Sequence, residues 1–582
     1  MLHLPRYRRV LAVMKSYSDI SALIVDDSPV ILSSIRRMLI SLGLNDQNIF
    51  HAKDPKAAIW HCKKIGFDLI ICDYNFFTRL NGKQVFEELQ HYSLIKPESS
   101  FIVITGESLS KIVRSIIELA PDEYILKPFN SLYFINKIKK SLARKSALYK
   151  LYNAKNKKKY KLGLELCDEL EFTFPQYHYL IQKFRGEFYA LLNMFNEAKD
   201  LYDSIIVEKD VEWANAGLAD SLIELGEFAR AQAIVEKMLD KVPNSTQAMS
   251  LHAKYDIYNG DIPNAIKQFS IISELTPGNP ERELVIANLC VSQGDYRNAA
   301  SRFMMYYELN IDTYRDNLEA RYNYIRCILF IYDLSQVDLK SVEEQGVSEF
   351  GPQKLKIEAL NEFRQLSLLK EKKYNRSDDM QDKVVNYDIE QELLMCHFSI
   401  VEGKLREAIS ILKHIYSCNL VEGFYNKYHF LYLLSLLSFN KEFKEYVHSI
   451  RADMNESQLS PMLLKSQVEL MKSLTSNHAT QTDVVNEKLE NAIIYQGSNQ
   501  IIDALDELVD IRSRNIYIRE VNMQLIQLLS SGWPSNYSAR DVKALLKSCF
   551  KVCKELYKPI ELKQLGILDN IALAESRVAK FS

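Results

Sequence analysis

Glycine and proline are scarce in this chain, 18 and 15 among 582 residues. So few turn formers argue against an all-β chain of many short strands and favour long helices. Strong net charge is also missing. Lys plus Arg number 73 and Asp plus Glu 75, a formal −2, so no global field draws the chain onto nucleic acid or an anionic membrane. Local basic runs such as Lys155–Lys161 read as solvated helix faces. Nothing approaches 18 uncharged apolar residues in a row, so no membrane span is expected. The opening MLHLPRYRRVLAVMK has too short an apolar stretch for a signal peptide. Nine cysteines, an odd number, stand at 62, 72, 167, 290, 327, 396, 418, 549 and 553, with no CxxC and no Cys/His cluster at metal-ligand spacing. They read as small buried hydrophobes in a reducing compartment, and a cytoplasmic location is expected. Cys549 and Cys553, four apart, share one helical face.

What is present falls into two patterns, and the length exceeds what one hydrophobic core supports. The first pattern alternates short apolar strands with amphipathic helices. Strands are predicted at Ala22–Val25, Ile49–Ala52, Phe67–Cys72, Phe101–Ile104 and Tyr124–Leu126. Between them lie helices opened by Ser28-Pro29 and closed by Gly43, then at Lys56–Lys64, Asn81–Tyr92 and Ser110–Leu119, with Asn130 capping a last one through Leu142. Such alternation calls for a doubly wound parallel five-stranded sheet covered by helices on both faces.

Ligands of such sheets bind beyond the carboxyl ends of the strands. There this chain places Asp26 and Asp27 after the first strand, Asp73 after the third, Thr105 after the fourth and Lys127 after the fifth. Each alone has a plain reading as a cap, a turn or a strand end. Together they bring three carboxylates, a hydroxyl and an ammonium to one edge. Crowded carboxylates raise one another's pKa unless a cation neutralises them, and Mg²⁺ with oxygen ligands fits. Lys127 and Thr105 aimed at the same spot make a receptor for a tetrahedral dianion, with Asp73 as the oxygen nucleophile that becomes an aspartyl phosphate.

In VDDSP, IICD, VITGE and YILKPF, over roughly Ala22–Lys145, the chain resembles the receiver domains of two-component response regulators. The resemblance implies a flavodoxin-like fold with Asp73 as phosphoacceptor. It implies Asp27 as a direct Mg²⁺ ligand with Asp26 beside it, and the backbone carbonyl of Asn75 as a further ligand. Thr105 and Lys127 would contact the phosphoryl group, a cis peptide would precede Pro128, and Tyr124 would be the switch aromatic. Asn75 and Glu107 flank the site where the family tunes phosphate lifetime. The loop after Asp73 departs from the family: it lacks the usual Met-Pro, and Gly82 comes nine residues on rather than eight.

The second pattern is helical and periodic. Gly226, Gly260 and Gly294 stand 34 apart; Ala231, Ala265 and Ala299 follow each by five, and Val235, Phe269 and Phe303 by four more. This beat resembles tetratricopeptide repeats, an all-α solenoid in which Gly ends one helix and Ala admits the next closely. Weaker copies read as KKYKLGLELC, NMFNEAKDLY and EGKLREAISIL. The domain plan is therefore an N-terminal extension (1–20), a receiver (21–145), a repeat array (150–345), an irregular helical or linker segment (346–386) and a helical region of degenerate repeats (387–582). The helix DVKALLKSCFKVCKELYK interleaves its lysines with core-spaced residues, so it reads as buried rather than as a nucleic-acid reader.

The function expected is that of a non-enzymatic response regulator in a phosphorelay. A histidine kinase or phosphotransfer protein would load Asp73, and the array would change its grip on a protein partner. A homodimerisation scaffold is the alternative reading of the array. For the whole chain the alternatives are a phosphate sink or inhibitory adaptor competing for a shared kinase, and an unphosphorylated scaffold. No partnership with nucleic acid or membrane is expected.

Overall fold

The computed structural model describes residues 15–76, 78–106, 110–336, 351–374, 388–419, 421–455, 459–533 and 537–581. They form two compact units. One runs to Arg282 and includes Glu308–Asn317; the other comprises Glu283–Tyr307 and Leu318 onward.

The first unit begins with a parallel sheet of β1 (Ala22–Val25), β2 (Ile49–Ala52), β3 (Leu69–Asp73), β4 (Ser100–Thr105) and β5 (Glu123–Leu126), in the order β2-β1-β3-β4-β5. Helices α1 (Pro29–Leu42), α2 (Pro55–Lys64), α3 (Gly82–His91), α4 (Ser110–Glu118) and α5 (Ser131–Asn156) separate and follow the strands. Alternate strand residues point to opposite faces. Ile24, Ile71, Ile102 and Ile104 meet Ile35, Leu39, Phe134 and Ile138 of α1 and α5. Leu23, Ile70, Cys72, Phe101 and Val103 meet Ala58, Val85, Leu89 and Ile116 of α2, α3 and α4. This is the flavodoxin-like doubly wound architecture, with an all-helical region after it. Local chemistry sets the boundaries. Asp54 and Asn130 accept from the backbone N–H three residues on, at 2.8 Å each, and Gly43 ends α1 at φ +108°.

The third strand and the last helix differ most from expectation. The third strand starts at Leu69 rather than Phe67; just before it the Asp68 carboxylate accepts from Lys15, Lys96 and the N–H of Ser21, at 2.8, 2.8 and 3.0 Å. It also includes Asp73, which pairs with Ile104. The last helix does not stop at Leu142. Its first half packs Phe134, Ile138 and Leu142 on the sheet; past a break at Leu148 (φ −105°, ψ 15°), Ala147, Leu148 and Leu151 join a helical core with Cys167, Ile181 and Phe188. One helix thus serves two cores, with no linker between them.

The helices that follow in this unit are α6 (Tyr160–Thr173), α7 (His178–Leu191), α8 (Phe195–Glu208), α9 (Glu212–Glu224), α10 (Phe228–Lys241), α11 (Thr246–Asn259) and α12 (Ile262–Leu275). Lys158, Asn193, Gly226 and Gly260, at φ +54°, +57°, +76° and +85°, each stand two residues before α6, α8, α10 and α12. Five residues after each comes Gly163, Ala198, Ala231 or Ala265. The small residue is required where helices touch: a Cβ on Gly163 would lie 2.5 Å from the ring of Phe188.

Helices α13 (Pro280–Ser292) and α14 (Tyr296–Asn310) cross the division between units. The second unit goes on with α15 (Glu319–Ser335), α16 (Gly351–Tyr374), α17 (Ile389–Val401), α18 (Leu405–Cys418), α19 (Phe424–Leu436) and further helices to Phe581. The same device recurs there. Gly294, Gly403 and Asn499 have positive φ two residues before a helix and are followed five later by Ala299, Ala408 and Ala504; Ser438 takes the same turn but is followed by Phe443. The helix Ala539–Leu556 buries Val542, Leu546, Cys549 and Cys553. Burial pushes the two thiols up to about 11 and about 12. Among the described residues no helix is long and apolar enough to cross a membrane. The boundaries expected at 345/346 and 386/387, most of the 1–20 extension, Glu107 and Phe77 lie outside the described residues.

Candidate functional site

At the carboxyl edge of the sheet, β1 delivers Asp26 and Asp27, and β3 ends on Asp73 between β1 and β4. Asp26 is 2% exposed and Asp73 8%. One carboxylate oxygen from each of Asp26, Asp27 and Asp73 lies within 4.8 Å of the others. Asp26 does not cap α1; its Oδ1 accepts from the N–H of Ser28, the residue before the helix, at 2.9 Å. Its Oδ2 faces inward and takes the Lys127 ammonium at 2.9 Å, while Lys127 Nζ also lies 3.0 Å from Asp73 Oδ1. The lysine therefore bridges the ends of two strands it does not belong to.

Thr105 ends β4 fully buried, and its carbonyl accepts from the N–H of Lys127 at 2.7 Å, which registers the β5 end against the β4 end. The Lys127–Pro128 bond is cis. Asn75, two residues past Asp73, is exposed, and Tyr124 on β5 is turned outward at 37% exposure. The edge thus gathers Asp26, Asp27, Asp73, Thr105 and Lys127, with Tyr124 outside the cluster.

Burial raises the Asp73 carboxyl to about 6, and the charge of Asp26 pushes the same way against Lys127. Burial works to lower the Lys127 ammonium, but its hydrogen bond to Asp26 and the charge of Asp73 outweigh that and leave it raised. Asp26 and Asp73 share the Lys127 ammonium, and Asp27 stands beside them. Three carboxylates with oxygen atoms this close suit a hard dication such as Mg²⁺.

Gly82 is a site residue the sequence reading used only as a spacing mark. Its N–H donates to the carbonyl of Tyr74 at 2.7 Å, and a Cβ there would fall 2.3 Å from the Asp73 carbonyl oxygen. The first turn of α3 therefore rests on the backbone of the central aspartate, and only glycine permits it. Asn81 and Gln84 close that turn reciprocally, side chain to backbone, at 3.0 and 2.9 Å. The Asn-Gly-Lys-Gln order was the available signal.

Residues 22–139 match the family described as the response regulator receiver domain. Three similar solved structures are a receiver domain protein from Clostridium thermocellum, the chemotaxis response regulator CheY4 of Vibrio cholerae, and response regulator TrrA from Thermotoga maritima in complex with Mg²⁺ and BeF. The first is 22% identical, covering 22% of this chain and 98% of that one, with a TM-score of 0.20. The second is 22% identical over 21% and 98%, TM-score 0.19. The third is 27% identical over 21% and 99%, TM-score 0.19. By the family match, this sheet and its carboxylate edge form a receiver domain.

Proposed function

We propose that the chain is the response regulator of a phosphorelay, in which Asp73 accepts a phosphoryl group from a histidine kinase or a phosphotransfer protein. The observation that carries this is Lys127 bridging Asp26 and Asp73 above a cluster of three carboxylates. A carboxylate oxygen of Asp73 attacks phosphorus, the new O–P bond forms as the donor's P–N bond breaks, and the donor imidazole keeps the electron pair. Lys127 would trade its contact with Asp73 for one with a phosphoryl oxygen, and the Thr105 hydroxyl would donate to another. Asp26, Asp27, Asp73 and the carbonyl of Asn75 would hold Mg²⁺, which supplies charge neutralisation for the incoming dianion.

The output is a change in protein–protein contacts of the helical array, read as tetratricopeptide-type. Support comes from the recurring left-handed residue two positions before a helix, with a small residue five further on, as at Asn193/Ala198 and Gly403/Ala408. Such arrays offer extended surfaces for protein segments. Helix α5 runs from the receiver into the first hairpins across its break at Leu148, with no intervening loop. The test is capture of partner proteins by full-length wild type and Asp73→Asn under phosphorylating conditions. A set of partners that changes with Asp73 is expected; identical capture by both sinks the switch.

A further inference from the structure

The receiver's α3–α4 face is not free. Within the first unit it lies against two segments of the same chain, the turn at 277–282 after α12 and the stretch 309–315. Lys83 Nζ donates to the Gly278 carbonyl at 2.8 Å, and Ser115 Oγ to the Pro277 carbonyl at 3.0 Å. Glu118 of α4 takes Asn279 at 2.9 Å and pairs with Arg282. On the other segment, Gln84 Nε2 donates to the Leu309 carbonyl at 2.9 Å, and Glu87 pairs with Arg315 at 2.9 Å. Glu88 accepts from the N–H of Tyr314, whose ring stacks on His91 with centroids 3.8 Å apart.

Two properties of this contact matter. It is polar: Lys83, Glu88 and Arg282 are at most 7% exposed and meet partners through hydrogen bonds and charges. Interfaces between domains that part and rejoin are of this polar kind, whereas permanent ones resemble a core. It is also tied to the site. The N-terminus of α3 rests on the Asp73 backbone through Gly82, and the Gln84 side chain that closes this first turn is the one holding the Leu309 carbonyl. A shift at Asp73 that moves α3 must therefore strain the contact with 309–315, and loosening that contact must free the first turn of α3.

We propose that the α3–α4 face is an internal docking site for segments 277–282 and 309–315, and that phosphoryl loading of Asp73 and docking are thermodynamically coupled. The coupling rests on the phosphoacceptor reading; the docking does not. Linkage makes the effect reciprocal: whatever factor loading applies to docking, docking applies to loading.

The test is hydrogen exchange on the full chain in four forms, wild type, Glu87→Arg, Arg315→Glu and the double swap, each with and without beryllofluoride plus magnesium. The Tyr314 amide, which donates to Glu88, is the reporter. Each single charge reversal is expected to speed its exchange about fivefold or more, and the double swap to restore it. Loading the wild type is expected to change the same amide, and the single variants to shift beryllofluoride affinity by the matching factor. Singles that leave Tyr314 exchange unchanged, or a double swap no slower than the singles, overturn the docking. Beryllofluoride binding that depends on Asp73, with Tyr314 unmoved, overturns the coupling. No beryllofluoride binding that Asp73→Asn abolishes overturns the phosphoacceptor reading and the coupling with it, while the charge-swap arm still decides the docking.

Discussion

Two regions of this molecule bury an aspartate among titratable neighbours, and they do it in opposite ways. In the second unit Asp333 of α15 receives His397 Nε2 of α17 at 2.8 Å and the Tyr432 hydroxyl of α19 at 2.8 Å, and His397 Nδ1 goes on to His429 Nε2 at 3.0 Å. Every neighbour there complements the carboxylate. At the sheet edge Asp73 instead meets Asp26 and Asp27, with one lysine between them. The first arrangement fixes helices to one another; the second crowds like charges around one lysine. A buried acid is therefore no sign of function by itself. The sign is a set of like charges that the fold gathers at one place.

Substitution should separate the two. The largest effect expected is from Asp333→Ala, which leaves the His397 and Tyr432 donors unmet: a loss of about 3–5 kcal/mol in unfolding free energy by denaturant titration, with phosphorylation of the folded protein unchanged. Asp73→Asn should act with the opposite sign in the absence of divalent ions. The Asp73 carboxyl stands at about 6 against an ordinary 3.8. Its proton is therefore held more tightly in the folded state, and the relative stability present below pH 3.8 is lost as the pH rises through about 6. Removing the charge should raise stability at neutral pH by up to about 3 kcal/mol, given 1.36 kcal/mol per pKa unit, and flatten the pH profile between those values. Equal destabilisation by both variants would erase the distinction.

Smaller effects sharpen it. Gly82→Ala forces a Cβ to within 2.3 Å of the Asp73 carbonyl, so α3 or the aspartate backbone must move. A loss of about 1–3 kcal/mol is expected, with slower labelling of Asp73 as the mark that the strain reaches the site. Gly226→Ala meets open space but a φ of +76°. It should lower stability by only about 1 kcal/mol in thermal unfolding, with labelling unaltered.

The site was legible in the sequence because strand ends in a parallel sheet share one edge, so five residues far apart in the chain could be assigned to one place by order alone. Two things at the edge were not legible. Gly82 against the Asp73 backbone depends on the path of the connecting loop. Asp68, just before the third strand, has partners at Lys15, Ser21 and Lys96 that no local pattern marks. In the array the glycine beat revealed the copies at Gly226, Gly260 and Gly294, but Ser438 and Asn499 take the same left-handed turn without a glycine. Asn adopts that conformation more readily than most residues, and one residue type is then too narrow a key. The Asp333–His397–Tyr432 network left no trace at all, since its members sit on separate helices whose pairing is set by tertiary packing.

The central claim is that Asp73 is the phosphoacceptor of a magnesium-dependent receiver. The most direct measurement is peptide mapping by mass spectrometry after incubating the full chain with acetyl phosphate, with magnesium or with a chelator. A label on the peptide containing Asp73, lost in chelator and in Asp73→Asn, is the predicted result. A label elsewhere, or none on Asp73 with magnesium present, contradicts it.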